Sequence, residues 1–377
     1  NTTSTGNYYT YTAGGGWAIS AVLESTKQTP TMASDGGQST ASYEVGSNLA
    51  LTPTSTLERF VAVGAIPAPT YGTVWSDAGV SSGNIISVAM SSDGTRITAV
   101  KNGYSIYVST NTGASWTPIA INTGWYDVAM SSSGQYQTAV PFGNYIYVSN
   151  DYGASFHQAP GTNGQWKAVA MSSSGQIQAV EATGMGSGQI YISTNYGENW
   201  SLLVNSPIKN WGDIAMSSLG NVIVASVNFS NSYQADQIYV SENQGTSWTA
   251  YGPTKNWRSV AISSDGTKQI ATALTSDQIY YSTNTGHTWS SYTNPIANNW
   301  YGVAMSANGQ ILTAVGLIGA SSGYIYISTD SGSSWTTPGS TTNNYPWYAT
   351  TMSSDGTKQA VVGGGPSYPG LVWVSTH

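Results

Sequence analysis

Apolar residues along this chain come in short runs, each broken by Gly, Ser, Asn or Asp, and the runs recur in sets of four. Trp125-Tyr126-Asp127-Val128-Ala129-Met130 is one such run, halted at Ser132-Ser133-Gly134. Gln135 to Val140 is expected to return antiparallel to it. A break at Pro141-Phe142-Gly143-Asn144 leads into Tyr145-Ile146-Tyr147-Val148, whose β-branched and aromatic residues suit a strand. Ser149 to Phe156 then turns the chain into a fourth, more polar strand. Four short strands joined by tight turns make one blade of a β-propeller.

The same grammar returns along the chain. Val-Ala-Met or a variant closes a first strand at Val88, Val128, Val169, Ile214, Val260 and Val303, with a looser copy at Thr350-Thr351-Met352. Ser-x-Asn/Asp-x-Gly-x-x-Trp/Phe occurs six times, its glycines at Gly113, Gly153, Gly197, Gly245, Gly286 and Gly332. A period of roughly 40 to 50 residues marks a propeller or solenoid, whose units bury their faces only by stacking. The seventh copy is split: Val374-Ser375-Thr376-His377 opens the motif and Gly72-Thr73-Val74-Trp75 closes it. The expected fold is therefore all-β: a seven-bladed propeller over residues 71–377, closed by pairing Gly72–Asp77 with Leu371–Ser375. Residues 1–70 lack the repeat. Strands are expected at Tyr8–Thr12, Trp17–Leu23, Ser42–Leu51 and Arg59–Ile66, followed by a stiff Pro67-Ala68-Pro69 linker. This β-rich arm either packs on the propeller or engages a neighbouring subunit.

Composition narrows the function. Charged residues are 7% of the 377 and hydrophobic residues 40%, so solubility rests on Ser, Thr, Asn, Gln, Gly and Tyr. Such a surface suits an extracellular, cell-surface or virion protein. A net charge of −7 with ten scattered basic residues argues against nucleic acid, which needs clustered Lys and Arg. No apolar run is long enough for a membrane span. The chain starts at Asn1 with no secretion signal, as after removal of a leader or trimming. Without cysteine there is no disulfide, thiolate metal site or cysteine nucleophile. Asn1, Asn199 and Asn228 open Asn-x-Ser/Thr triplets, as chance allows in a chain this rich in Ser and Thr.

The repeated turn resembles the Asp-box, or bacterial neuraminidase repeat, of sialidases, xyloglucan-degrading enzymes, sortilin-type receptors and photosystem-assembly propellers. The resemblance covers roughly residues 71–377. It implies that Asn111, Asp151, Asn195, Asn243, Asn284 and Asp330 are structural, bonding backbone amides in the turn while the Trp plugs the blade's base. It does not extend to the sites of those families. Sialidases clamp a carboxylate with three arginines, and this ring holds only Arg96 and Arg258. The arginine-rich patch of the photosystem-assembly relatives is absent, and xyloglucan-type sites need a second propeller.

Two sets of residues remain as candidates. Asp127 and Asp213 each lie two positions after a strand-opening Trp, near one rim of the channel, and are the best acid pair for glycoside hydrolysis. They belong to blades that are not adjacent, which favours rim hydrogen bonding over catalysis. Trp125, Trp166, Trp211, Trp257, Trp300 and Trp347 open the first strands, with Ile85 in the remaining blade. Either each indole wedges between adjacent blades, or some open onto the rim as ligand platforms flanked by Tyr126, Lys167, Arg258, Tyr301 and Tyr348. Twenty-six tyrosines and little charge suit a neutral glycan or a protein contact equally. His157, His287 and His377 have no metal-ligand spacing, and no cofactor motif is present. The expected function is non-enzymatic: adhesion or glycan binding, or alternatively a filament or surface-layer subunit that self-associates through residues 1–70. A glycoside hydrolase or lyase is the third reading.

Overall fold

The computed structural model describes residues 9–13, 17–22, 42–46, 75–80, 84–183, 188–227, 235–274, 278–292, 299–318, 322–338, 345–365 and 368–375. The chain divides into two compact units, residues 1–67 and 68–377. In the first, Tyr9–Ala13, Trp17–Val22 and Ser42–Gly46 form a three-stranded antiparallel meander. The strand expected at Arg59–Ile66 and the proline linker lie outside the described residues.

In the second unit the described regular structure is all antiparallel sheet, in consecutive groups of three or four strands, of which the second and third are joined into one eight-stranded sheet. The first strands of these sheets, numbered 1 to 7 in chain order, are Ile85–Met90, Trp125–Met130, Gly164–Met171, Trp211–Met216, Trp257–Ile262, Asn299–Met305 and Trp347–Met352. Each first strand packs beside that of the next sheet, and that of sheet 7 returns to sheet 1. Sheet 7 takes its fourth strand from the other end of the unit. Trp75–Asp77 lies antiparallel to Tyr368–Ser375, with Ser375 opposite Trp75 and Trp373 opposite Asp77. Gly72, Thr73 and Val74 lie outside the described residues.

A hydrogen-bond ring closes one end of the channel. The N–H of Ser92 donates to the carbonyl of Ser132, Ser132 to Ser173, Ser173 to Ser218 and Ser218 to Ser264. Ser264 then donates to Ala307, Ala307 to Ser354 and Ser354 back to Ser92, all at 2.8–2.9 Å. These residues occupy the turn after each first strand. Each of those turns needs a glycine for two reasons. Gly134 has φ +76°, and a Cβ there would meet Arg96 of sheet 1 at 2.5 Å. The same overlap runs round the ring, ending with Lys358 of sheet 7 over Gly94 of sheet 1.

Indoles fill the wedges between sheets. Trp125 joins Val100, Ile106 and Val108 of sheet 1 to Val128, Ala139 and Tyr147 of its own sheet. Five of these tryptophans meet a tyrosine of their own third strand edge-on, as in Trp125–Tyr147 at 5.2 Å and Trp257–Tyr280 at 5.1 Å.

One expected boundary is corrected. The break foreseen at Pro141–Asn144 is strand, because Gln137–Asn144 runs on past its own sheet and pairs with Gln165 and Gly164 of sheet 3. Pro141 is tolerated there because it sits opposite Trp125 at an irregularity of the ladder.

Buried polar bonds also cross between sheets, with one gap. Thr98 Oγ1 donates to Gln137 Oε1 at 2.7 Å, Thr138 to Gln178 at 2.6 Å and Thr313 to Gln359 at 2.7 Å. Gln269 holds the corresponding place in sheet 5, but the position facing it from sheet 4 is Val224, and Gln269 Oε1 is buried without a partner. Val224→Thr, nearly isosteric, is expected to supply the missing donor and stabilise the fold by about 1 kcal/mol. Denaturant unfolding of the variant checks this, and a loss of stability would contradict it.

Candidate functional site: the channel mouth

Every first strand carries a β-bulge at the same place. Trp125 pairs with Pro141 and Asp127 with Val140, so Tyr126 is the extra residue. The equivalent residues elsewhere are Ile86, Lys167, Gly212, Arg258, Tyr301 and Tyr348. A bulge re-aims a side chain and breaks the alternation of faces. All seven extra residues line one open cavity of about 400 Å³ at the end of the channel away from the ring of turn hydrogen bonds.

The six tryptophans proposed as ligand platforms do not reach this cavity. Trp125, Trp211, Trp257, Trp300 and Trp347 are 0% exposed and Trp166 is 4% exposed. Their faces are covered by neighbouring sheets, which leaves the residue after each of them to meet a ligand. Sequence reasoning had those neighbours only as flanks. The signal that finds them is spacing. Trp125 and Val128, Trp300 and Val303, and Ile85 and Val88 each share a core cluster although they are three residues apart. On an unbroken strand they would face opposite ways.

The bulged residues divide the mouth. Sheets 6, 7, 1 and 2 contribute Tyr301, Tyr348, Ile86 and Tyr126 in a row. Tyr301 and Tyr348 lie 5.7 Å apart, and Tyr126 packs on Phe142 at 5.6 Å with both rings exposed. Sheets 3 to 5 contribute Lys167, Gly212 and Arg258, with Asp127 and Asp213 beside them. The Arg258 guanidinium stacks over Tyr301 at 5.3 Å and so joins the two arcs. Lys167 Nζ donates to the Trp211 carbonyl at 2.7 Å.

Asp127 and Asp213 line the mouth, but both are used as bolts between sheets. Asp127 accepts the Ser87 hydroxyl from sheet 1 and the Val169 N–H from sheet 3 at 2.8 Å. Asp213 accepts its own neighbour's N–H at Ile214 and the Val260 N–H of sheet 5, both at 2.9 Å. Burial, and then the nearby Asp213 charge, push the Asp127 carboxyl up to about 7. Burial raises Asp213 too, against the Val260 N–H that favours its anion. Burial pushes the Lys167 ammonium down to about 8, with the charge of Glu181 opposing that shift.

Glu181 was not foreseen. It lies opposite Ala168 on the second strand of sheet 3, is 0% exposed, and neither carboxylate oxygen has a hydrogen-bond partner. Burial, then Asp213, hold its carboxyl well above the ordinary range, and Lys167 pulls the other way. In the sequence it is a single acid between Val180 and Ala182 near the end of a strand, where an exposed edge acid is as ordinary as a buried one. Only the covering of both sheet faces reveals the burial.

The six repeated turns show one geometry. The Oδ1 of Asn111, Asp151, Asn195, Asn243, Asn284 and Asp330 accepts the serine hydroxyl two residues back and the N–H four residues on, at 2.8–3.0 Å. The same serine accepts the turn glycine's N–H at 2.8–3.0 Å. These side chains are engaged in holding turns. His157 and His287 each face a glutamate of an adjacent sheet, Glu198 at 3.2 Å and Glu242 at 2.7 Å, and His377 lies outside the described residues. Among the described residues no three His, Cys, Asp or Glu are placed to hold a metal ion, and no helix is long and apolar enough to cross a membrane.

Comparison with known proteins speaks to the fold. A family model described as sortilin, neurotensin receptor 3, matches residues 236–362, about a third of the chain. The structure of YCF48 from Cyanidioschyzon merolae is 15% identical with a TM-score of 0.59, covering 80% of this chain and 98% of that one. A structure of YCF48 bound to D1 peptide is 16% identical with a TM-score of 0.58, covering 83% of this chain and 100% of that one. No curated protein matches the chain. Likeness at this identity is likeness of architecture, and with the closed cycle of sheets it establishes residues 68–377 as a β-propeller.

Proposed function

We propose that this chain is a non-enzymatic binding propeller whose channel mouth takes a segment of a partner protein. One observation carries the reading: seven bulges place six side chains and Gly212 around one open cavity, three tyrosines and Ile86 on one arc and Lys167 and Arg258 on the other. Aromatic rings and a stacked arginine are the side chains that dominate protein contacts. A structurally similar propeller has been seen with a peptide bound, which supports the same use of the scaffold here. The repeated turns fit the Asp-box type of scaffold element, and the low charge fits an extracellular or virion surface. A neutral glycan is less well supported, since the tryptophan platforms are buried.

Selection of peptides from a displayed random library against the whole chain tests the proposal. Peptides that bind are expected to lose at least tenfold in affinity to a Tyr126→Ala/Arg258→Ala/Tyr348→Ala variant. Binding that ignores those changes, or light scattering that shows self-assembly with no peptide binding, would favour the alternative of an assembly subunit. A separate meander in residues 1–67 gives that alternative its arm. The absence of catalysis has its own check. Because Asp127 and Asp213 are spent on backbone bonds, no hydrolysis of sialosides or β-glucans is expected. Turnover abolished by Asp127→Asn or Asp213→Asn would overturn the non-enzymatic reading.

A further inference from the structure

Six of the chain's eight methionines occupy a single structural position. Met90, Met130, Met171, Met216, Met305 and Met352 are the last residues of six first strands, and Ile262 ends the seventh. The first strands are neighbours round a closed cycle, so these positions form one belt about the channel, and Met90, Met130, Met216 and Met305 also pack against the apolar clusters between sheets. The belt divides two cavities. Met90, Met130, Met305 and Met352 line the 400 Å³ mouth cavity, and all six line a second cavity of about 160 Å³ on the side of the serine ring. Ile262 shows that a branched aliphatic residue fits the position, so packing alone does not require thioethers. Thioether sulfur is neutral and polarizable, binds hard cations poorly and selects soft monovalent ions. An unbranched side chain with three rotatable bonds lets neighbouring sulfurs swing toward a common centre.

We propose that the methionine belt is a binding site for a soft monovalent metal ion, Cu(I) or Ag(I), held by thioethers from adjacent sheets inside the channel. The site uses none of the bulged residues proposed to contact a partner, although four of its methionines line the same mouth cavity.

Titration of the full-length chain with Ag(I), in chloride-free and thiol-free buffer, followed by calorimetry, tests this. Saturable binding is expected, unaffected by tenfold excess Mg(II), and weakened at least tenfold in Met130→Leu/Met171→Leu/Met216→Leu. Ile262→Met, which completes the belt, is expected to bind at least as tightly as the parent. Met32→Leu/Met185→Leu removes the other two methionines and should change nothing. A second readout needs no variant. Bound Ag(I) should slow oxidation of the belt methionines by hydrogen peroxide at least tenfold, measured peptide by peptide. Equal binding by the belt variant, loss of binding in Met32→Leu/Met185→Leu, or peroxide reactivity indifferent to Ag(I) would each overturn the proposal.

Discussion

Trp75→Ala is expected to destabilise the propeller by about 3–5 kcal/mol, the range for removing a buried large aromatic side chain. Trp75 is 6% exposed and packs in one cluster with Val315, Ile325 and Ile327 of sheet 6 and with Trp347, Val361 and Leu371 of sheet 7. Its strand is three residues long and the indole is that strand's one buried side chain. Closure joins segments some 300 positions apart, yet its entropic cost grows only as the logarithm of that length. Local packing can therefore offset it. Trp116 holds the matching place in a complete motif but is only half-buried, so Trp116→Ala should cost less, about 1–3 kcal/mol. Chemical unfolding of both variants gives the comparison. A nearly silent Trp75→Ala would mean that the closing strand does not secure the ring.

Glu181→Val should act in the opposite direction and raise stability by about 1–4 kcal/mol at neutral pH, as when buried ionic groups give way to apolar ones. Valine is a proven fit: Val100, Val140, Val315 and Val362 hold the same register position in sheets 1, 2, 6 and 7. The parent chain should also lose stability as pH rises. A carboxyl whose value is raised by folding keeps the folded state more protonated, so its contribution is complete below about 4 and is lost as pH climbs through the folded value. For Asp127, raised from 3.8 to about 7, that is at most about 4 kcal/mol, realised between pH 4 and 7. Glu181 and Asp213 add in the same sense. Lys167, lowered to about 8, opposes them only in part, because its contribution is lost as pH falls from about 10.5 through 8. Melting temperatures from pH 4.5 to 8 should therefore decline, and decline less steeply in Glu181→Val. A destabilised Glu181→Val, or a melting temperature that rises with pH over that range, would contradict this account of the buried acids.

The architecture was legible because its signals are local. Turn glycines at Gly113 and its five counterparts, and apolar runs ending in Val-Ala-Met, mark strands without knowledge of neighbours. The split motif placed Trp75 beside Ser375 for the same reason. The site was legible only in part. Trp125 and its equivalents stand out by size, but size signals burial as readily as binding, and here burial prevails. The residues that reach the cavity depend on a one-residue bulge, visible only as the three-residue spacing between Trp and Val. Glu181 could not be distinguished from an exposed acid, because its burial comes from sheets 3 and 4 together.

The hydrogen-bond ring of Ser92, Ser132, Ser173, Ser218, Ser264, Ala307 and Ser354 has every N–H pointing the same way round. An open stack of repeats can gain or lose a unit at its end and keep all its other contacts. This ring has no end: removing one sheet leaves a donor and an acceptor facing across a gap, and inserting one forces every neighbour to turn by a new angle. Duplication or deletion of a single repeat thus requires all the remaining sheets to close again at a new angle, rather than adding or removing one unit at an end.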